Sequence, residues 1–140
     1  MGKTKSGRQT TTISMKKVIY TDKAPAPIGP YSQAILSGNT LYTSGQIAIH
    51  PASGDLILSD IESETEQVMK NLQAVLEAAG MTFSDVVKAT IFISDMNNFA
   101  RINSVYGKYF LETEAPARET VQVSVLPKHV NVEISMIAVR

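Results

Sequence analysis

The chain has 140 residues, 13 basic against 13 acidic, and a pI near 6.7. That length suits one domain burying roughly two-thirds of its unfolded surface, and zero net charge supplies no field toward nucleic acid or anionic lipid. Without cysteine there is no disulfide framework, thiolate metal site or cysteine nucleophile, and the longest unbroken apolar run, Met136–Val139, is far too short for a membrane span or signal core. The expectation is a soluble, cytoplasmic protein.

Residues 1–14 are rich in Thr, Lys, Ser and Gly and nearly devoid of apolar side chains. They read as a disordered leader, either a local extension or a cloning remnant, because such a segment has nothing to bury. Met15-Lys16-Lys17-Val18 resembles a second start, and residues 15–140 read as a single domain.

Lys16 to Tyr20 is a short strand candidate. Ala24 to Pro30 holds Pro25, Pro27, Gly29 and Pro30, which exclude regular structure. Ala34 to Ser37 and Thr40 to Gln46 flank Gly38-Asn39, a two-residue hairpin signal. Pro51 to Asp55 makes a second turn, and Leu56 to Leu58 extends a strand or a loop.

Ser59 with Glu62 three residues on has the form of a capping box. Ile61, Val68, Met69, Leu72, Val75, Leu76 and Ala79 then recur at helical spacing, and Gly80 is placed to end the helix. Val86 to Ser94 is a β-branched run with Val87, Ala89, Ile91 and Ile93 on one face. Strand, helix and strand in that order predict a parallel, right-handed crossover. Asp95 or Asn97 caps a second helix that buries Phe99, Ile102, Tyr106, Tyr109 and Phe110. Ala117 to Val125 and Val130 to Val139 are the last strands. The fold class is α+β: a single six-stranded mixed sheet with two helices on one face.

Two helices leave the other sheet face open. Alternation assigns Arg118, Thr120, Gln122 and Ser124 to that face, together with Asn131, Glu133, Ser135, Ile137 and Val139 from the next strand. A face that is half apolar finds its cover by oligomerising. Arg118 and Glu133 are the groups of interest there, since a buried unpaired charge costs several kcal/mol. Either they pair with each other, or one of them waits for a ligand.

Other chemical signatures are weak. His50 and His129 stand alone beside prolines and read as surface residues; no metal site and no cofactor motif is recognised. Gly2-Lys3-Thr4 imitates the end of a P-loop without its upstream glycine and strand. Asp60, Glu62, Glu64 and Glu66 form an acidic helix start that suits the macrodipole.

Several segments carry a resemblance: Ala26-Pro27-Ile28-Gly29-Pro30-Tyr31-Ser32-Gln33-Ala34, Ser44-Gly45-Gln46, Asn97-Asn98-Phe99, Asn103-Ser104-Val105-Tyr106, Pro116-Ala117-Arg118, and Leu126-Pro127-Lys128 with Val132-Glu133-Ile134. In this order they resemble the RidA/YjgF family of enamine/imine deaminases, also labelled endoribonuclease L-PSP, from about Lys16 to Arg140. The resemblance implies a chorismate-mutase-like fold and a homotrimer with sites in clefts between subunits. The reaction it implies is cofactor-free hydrolysis of small 2-imino or enamine acids, such as 2-aminoacrylate, to 2-oxo acids and ammonia.

Under that resemblance Arg118 anchors the substrate carboxylate through its planar fork of donors, and Glu133 handles the attacking water. Tyr31 walls the pocket, Ser44 and Gly45 bring backbone close to the ligand, and Asn103 reaches the site of a neighbouring subunit or bonds locally. Thr120 stands where many relatives have cysteine. An imine accepts water directly, so that replacement leaves the chemistry intact, with backbone at 120 serving the site. Ser135, where a second glutamate is common in the family, loosens the assignment of substrate preference. Two alternatives remain open: an RNA-cleaving or translation-inhibiting protein, which the neutral charge and absence of a basic aromatic stripe disfavour, and a small-molecule-binding trimer without turnover.

Overall fold

The structure is a computed structural model that describes residues 16–140; the leader, the Met15 start and Gly2-Lys3-Thr4 lie outside the described residues. The strands are β1 (Lys16–Ile19), β2 (Ala34–Ser37), β3 (Thr40–Thr43), β4 (Val86–Ile93), β5 (Ala117–Gln122) and β6 (Val132–Val139), in one sheet ordered β1-β2-β3-β6-β4-β5. Two helices, α1 (Ile61–Ala78) and α2 (Phe99–Tyr106), pack together on one face of it. The fold is α+β, as the sequence pattern predicts.

The expected crossover carries one difference. β3 and β4 run in the same direction, but β6 is inserted between them and is antiparallel to both. The adjacent parallel pair is instead β4 with β5, joined through α2. The last strand therefore takes the central place, with Val132, Ile134, Met136 and Ala138 all buried.

α1 begins one residue later than the capping-box reading. Asp60, not Ser59, is the cap, accepting from the Ser63 amide at 2.7 Å. It ends in a Schellman motif, with Gly80 N–H on the Glu77 carbonyl, Met81 N–H on the Leu76 carbonyl, and Gly80 at φ 73. Val68, Leu72, Val75 and Leu76 are fully buried, each worth roughly 1.5–3 kcal/mol of transfer free energy. α2 stops at Tyr106, so Tyr109 and Phe110 belong to the turn that follows; they still pack against Phe83, with ring centroids 5.1 and 5.5 Å away.

The acidic start of α1 is more than a response to the helix dipole. Glu62 makes a two-bond ion pair with Arg101 of α2 at 2.7 and 2.8 Å. Glu66 accepts from the Tyr109 hydroxyl and pairs with Lys108. Glu64 is fully buried and accepts from the Asn131 amide, the Asn131 side chain and the Val132 amide, at 2.7, 2.8 and 3.3 Å. That contact turns Asn131 toward α1 and away from the open face, contrary to the alternation reading.

Two further face assignments change. A bulge between Val86 and Lys88 puts Val86 inward with Ala89, Ile91 and Ile93, and leaves Val87 exposed. In β5 the shift matters more. Arg118, Thr120 and Gln122 pair with Ala89, Ile91 and Ile93, whose side chains face the helices. Partners in register share a face, so Arg118 and Thr120 lie on the helix-covered side, not the open one. Glu133 pairs with Phe92, one step out of phase with Ala89, and stays on the open side. Ser124 falls beyond the end of β5.

Candidate functional site

Apart from Thr120, the residues singled out by sequence separate into two clefts on opposite faces of the sheet. On the helix side, the guanidinium of Arg118 donates from Nη1 to Asn103 Oδ1 at 2.6 Å. Its central carbon lies 5.5 Å from the Phe99 ring centroid and 5.1 Å from that of Tyr106. Phe99, Asn103 and Tyr106 sit on one stripe of α2 because they recur three or four residues apart. Two rings and an amide thus hold the planar fork in one orientation, a task to which lysine is unsuited.

No described carboxylate is paired with Arg118. Glu119, adjacent in sequence, points to the open side, where it pairs with Lys88 at 3.2 Å and accepts from Thr90 Oγ1 at 3.1 Å. The cleft beside Arg118 has a volume of about 650 Å³ and is lined by Asn103, Tyr106, Phe110 and Pro116 among others. Burial pushes the Tyr106 hydroxyl pKa up, the Arg118 charge opposing it in part.

The second cleft, about 560 Å³, brings together Tyr31, Ser44, Gly45 and Glu133 with Lys128 and the apolar walls Ile28, Ile47 and Ile49. The proline loop reaches it through Gln33. This side chain is 1% exposed, accepts from Thr21 N–H at 2.8 Å and donates to the carbonyls of Thr21 and Pro25 at 2.9 Å. Ser44 Oγ donates to the Ser32 carbonyl at 2.5 Å, so its hydroxyl is spent on the frame of the cleft. Tyr31 stays half exposed, its hydroxyl accepting a long 3.5 Å bond from Ile28 N–H.

Glu133 is the one carboxylate in this lining. Among the described residues nothing donates to it, and burial pushes its pKa above the ordinary carboxylate range. The rim is strained: Lys128 and His129 are consecutive non-glycine residues at φ 55 and 56, pinned between buried Leu126 and Val130. Left-handed residues of this kind gather at functional clefts. Both histidines are exposed, as expected of surface residues.

Thr120 lines neither cleft. Among the described residues its Oγ1 is buried without a hydrogen-bond partner, as is the Tyr106 hydroxyl. Within one chain Arg118 and Glu133 cannot meet: β4 separates their strands and the sheet lies between their side chains. The Phe99–Tyr106 clamp and the Gln33 brace carry no local signal in the sequence beyond helical spacing and a polar residue at a strand edge.

Comparison with known proteins shows the family. The family model described as Endoribonuclease L-PSP matches residues 21–140. A RutC family protein of Pyrococcus horikoshii is 53% identical over 124 residues, which cover 89% of this chain and 98% of the relative. A bovine protein named 2-iminobutanoate/2-iminopropanoate deaminase is 48% identical over 126 residues, covering 90% and 91%. The crystal structure of the YjgF gene product of E. coli superposes with a TM-score of 0.83 at 45% identity, covering 89% of this chain and 98% of that one. With the motifs, the fold and the relatives in agreement, the chain belongs to the RidA/YjgF family, the family described as Endoribonuclease L-PSP.

Proposed function

We propose that the protein is a cofactor-free deaminase that hydrolyses small 2-imino acids, such as the tautomer of 2-aminoacrylate, to 2-oxo acids and ammonia. The observation that carries this reading is the unpaired Arg118 fork, held by Asn103 and two aromatic rings at the edge of a cleft. Such a fork matches a carboxylate through two parallel hydrogen bonds. The name of the bovine relative supports the same chemistry.

The two halves of the machinery are supplied by different subunits of a homotrimer. The open face is suited to an interface, since Val18, Ile35, Tyr42 and Ile137 form an apolar row across four strands. Docking it beside the α2 face of a neighbour brings Glu133, Tyr31, Ser44 and Gly45 of one subunit to Arg118 and Asn103 of the next.

In the assembled cleft Arg118 fixes the substrate carboxylate. The enamine takes a proton at carbon to become the N-protonated imine, whose carbon is electrophilic. Glu133, ionised, accepts a proton from water as the oxygen bonds to that carbon, giving a carbinolamine. The same carboxyl then returns the proton to nitrogen, and as the C–N bond breaks and ammonia leaves it takes the hydroxyl proton, so that the C=O forms. Imine plus water becomes oxo acid plus ammonia, with Thr120 taking no covalent part.

The test generates 2-aminoacrylate with a serine dehydratase and follows pyruvate release with wild type and Arg118→Ala. Acceleration by wild type alone is expected. No acceleration by wild type overturns the deaminase reading, and equal acceleration by the variant overturns the role of Arg118. The family description keeps a second reading on the page; RNA cleavage that persists in a repurified chain lacking residues 1–14 supports it.

A further inference from the structure

Glycine at position 45 is not explained by its backbone, because its φ lies outside the left-handed region that excludes other residues. The explanation is space. A Cβ added there would overlap Glu133 Oε2 and lie 2.8 Å from Cδ and 3.0 Å from Cγ of the same side chain. The carboxyl end of Glu133 therefore rests directly on the bare backbone of Gly45.

Neither neighbour lets that backbone retreat. Gln46 N–H bonds the Ile134 carbonyl at 2.8 Å and Ile134 N–H returns to Gln46 at 3.1 Å, tying this segment to β6 beside Glu133. On the other side Ser44 N–H bonds the Gln33 carbonyl at 2.9 Å and its hydroxyl bonds Ser32. Glu133 itself has no donor or cation among the described residues, so packing alone fixes its carboxylate.

Resting on the deaminase reading of Glu133, we propose that Gly45 is a positioning residue of the reaction: its missing side chain is the seat that holds the Glu133 carboxylate in the cleft. Gly45 then acts through Glu133 and not through contacts of its own with substrate. An added methyl drives the flexible carboxylate outward, because the pinned backbone on either side cannot yield.

The experiment combines a double-mutant cycle with a crystal structure. Gly45→Ala is expected to lower kcat by roughly tenfold to a hundredfold, the effect of displacing a catalytic group by about 1 Å, with KM and melting temperature nearly unchanged. In a Glu133→Ala background the same substitution is expected to cost nothing further, since no carboxylate remains to be displaced. An equal loss in both backgrounds overturns the proposal, because Gly45 would then act on its own account. The crystal structure of Gly45→Ala reads the seat independently of turnover: a Glu133 carboxylate shifted by more than about 1 Å supports it, and an unmoved one overturns it. Full activity of Glu133→Ala, with the carboxylate shifted in the Gly45→Ala crystal, overturns the catalytic reading and leaves the seat standing.

Discussion

Glu64 offers the sharpest test of how the central strand is held. Its carboxylate is inaccessible to solvent and receives two backbone N–H groups, from Asn131 and Val132, as well as the Asn131 amide. Truncation by Glu64→Ala leaves both backbone donors buried and unpaired, at about 1–3 kcal/mol each, plus the cavity left by the chain. Removing a buried charge offsets part of this, so the expected net loss is about 3–5 kcal/mol. Glu64→Gln keeps one acceptor oxygen for the two backbone donors, and the Asn131 amide can turn to meet the new NH2. Its cost should be about 1–2 kcal/mol. Urea denaturation of both variants at equal protein concentration measures the difference, with the midpoint of the alanine variant lower by roughly 1–3 M. Hydrogen exchange at the Asn131 and Val132 amides should be fast in the alanine variant and slow in the glutamine variant. An alanine variant within about 1 kcal/mol of wild type refutes the reasoning.

Thr120 carries a buried hydroxyl with no partner among the described residues, so Thr120→Val should raise stability by about 0.5–1.5 kcal/mol, read as a higher melting temperature. A fall instead would show that the hydroxyl finds a partner in the assembled oligomer. Burial raises the Glu133 pKa, so kcat/KM should decline on the acid side with a midpoint above the ordinary carboxylate value. The sign for stability is opposite to that of a salt-bridged acid. The folded form holds the Glu133 proton more tightly than the unfolded chain, so stability falls as pH rises from the ordinary value through the raised one. Glu133→Gln should flatten both curves in that window, and an unchanged acid limb would remove Glu133 from the reaction.

The elements were legible in the sequence because each is locally consistent: the apolar period of α1, the β-branched run of β4 and the Gly38 hairpin all act over a few residues. Faces were harder. The bulge at Val87 shifts the phase of β4, and the parallel pairing of β5 is decided by its partner, not by its own alternation. Alternation alone therefore puts Arg118 and Thr120 on the open face, whereas the pairing with β4 puts them on the helix side. The roles of Glu64 and Gln33 were hidden for a related reason. Each bonds backbone distant in sequence, and an acidic helix start or a polar strand edge looks the same whether its side chain points to water or to the core. The motif residues stand in the sequence, but the sequence does not say that most of them fall into two clefts.

That division makes the central claim directly measurable. If each site takes Arg118 from one subunit and Glu133 from another, Arg118→Ala and Glu133→Ala each lose most of their activity, yet mixing them restores intact sites. Random assortment of equal amounts gives each site about a one-in-four chance of two intact halves, whatever the ring size. Unfolding and refolding the two variants together, then assaying pyruvate release from 2-aminoacrylate, should recover about a quarter of wild-type activity. Activity no greater than that of the separate variants would contradict a site shared between subunits.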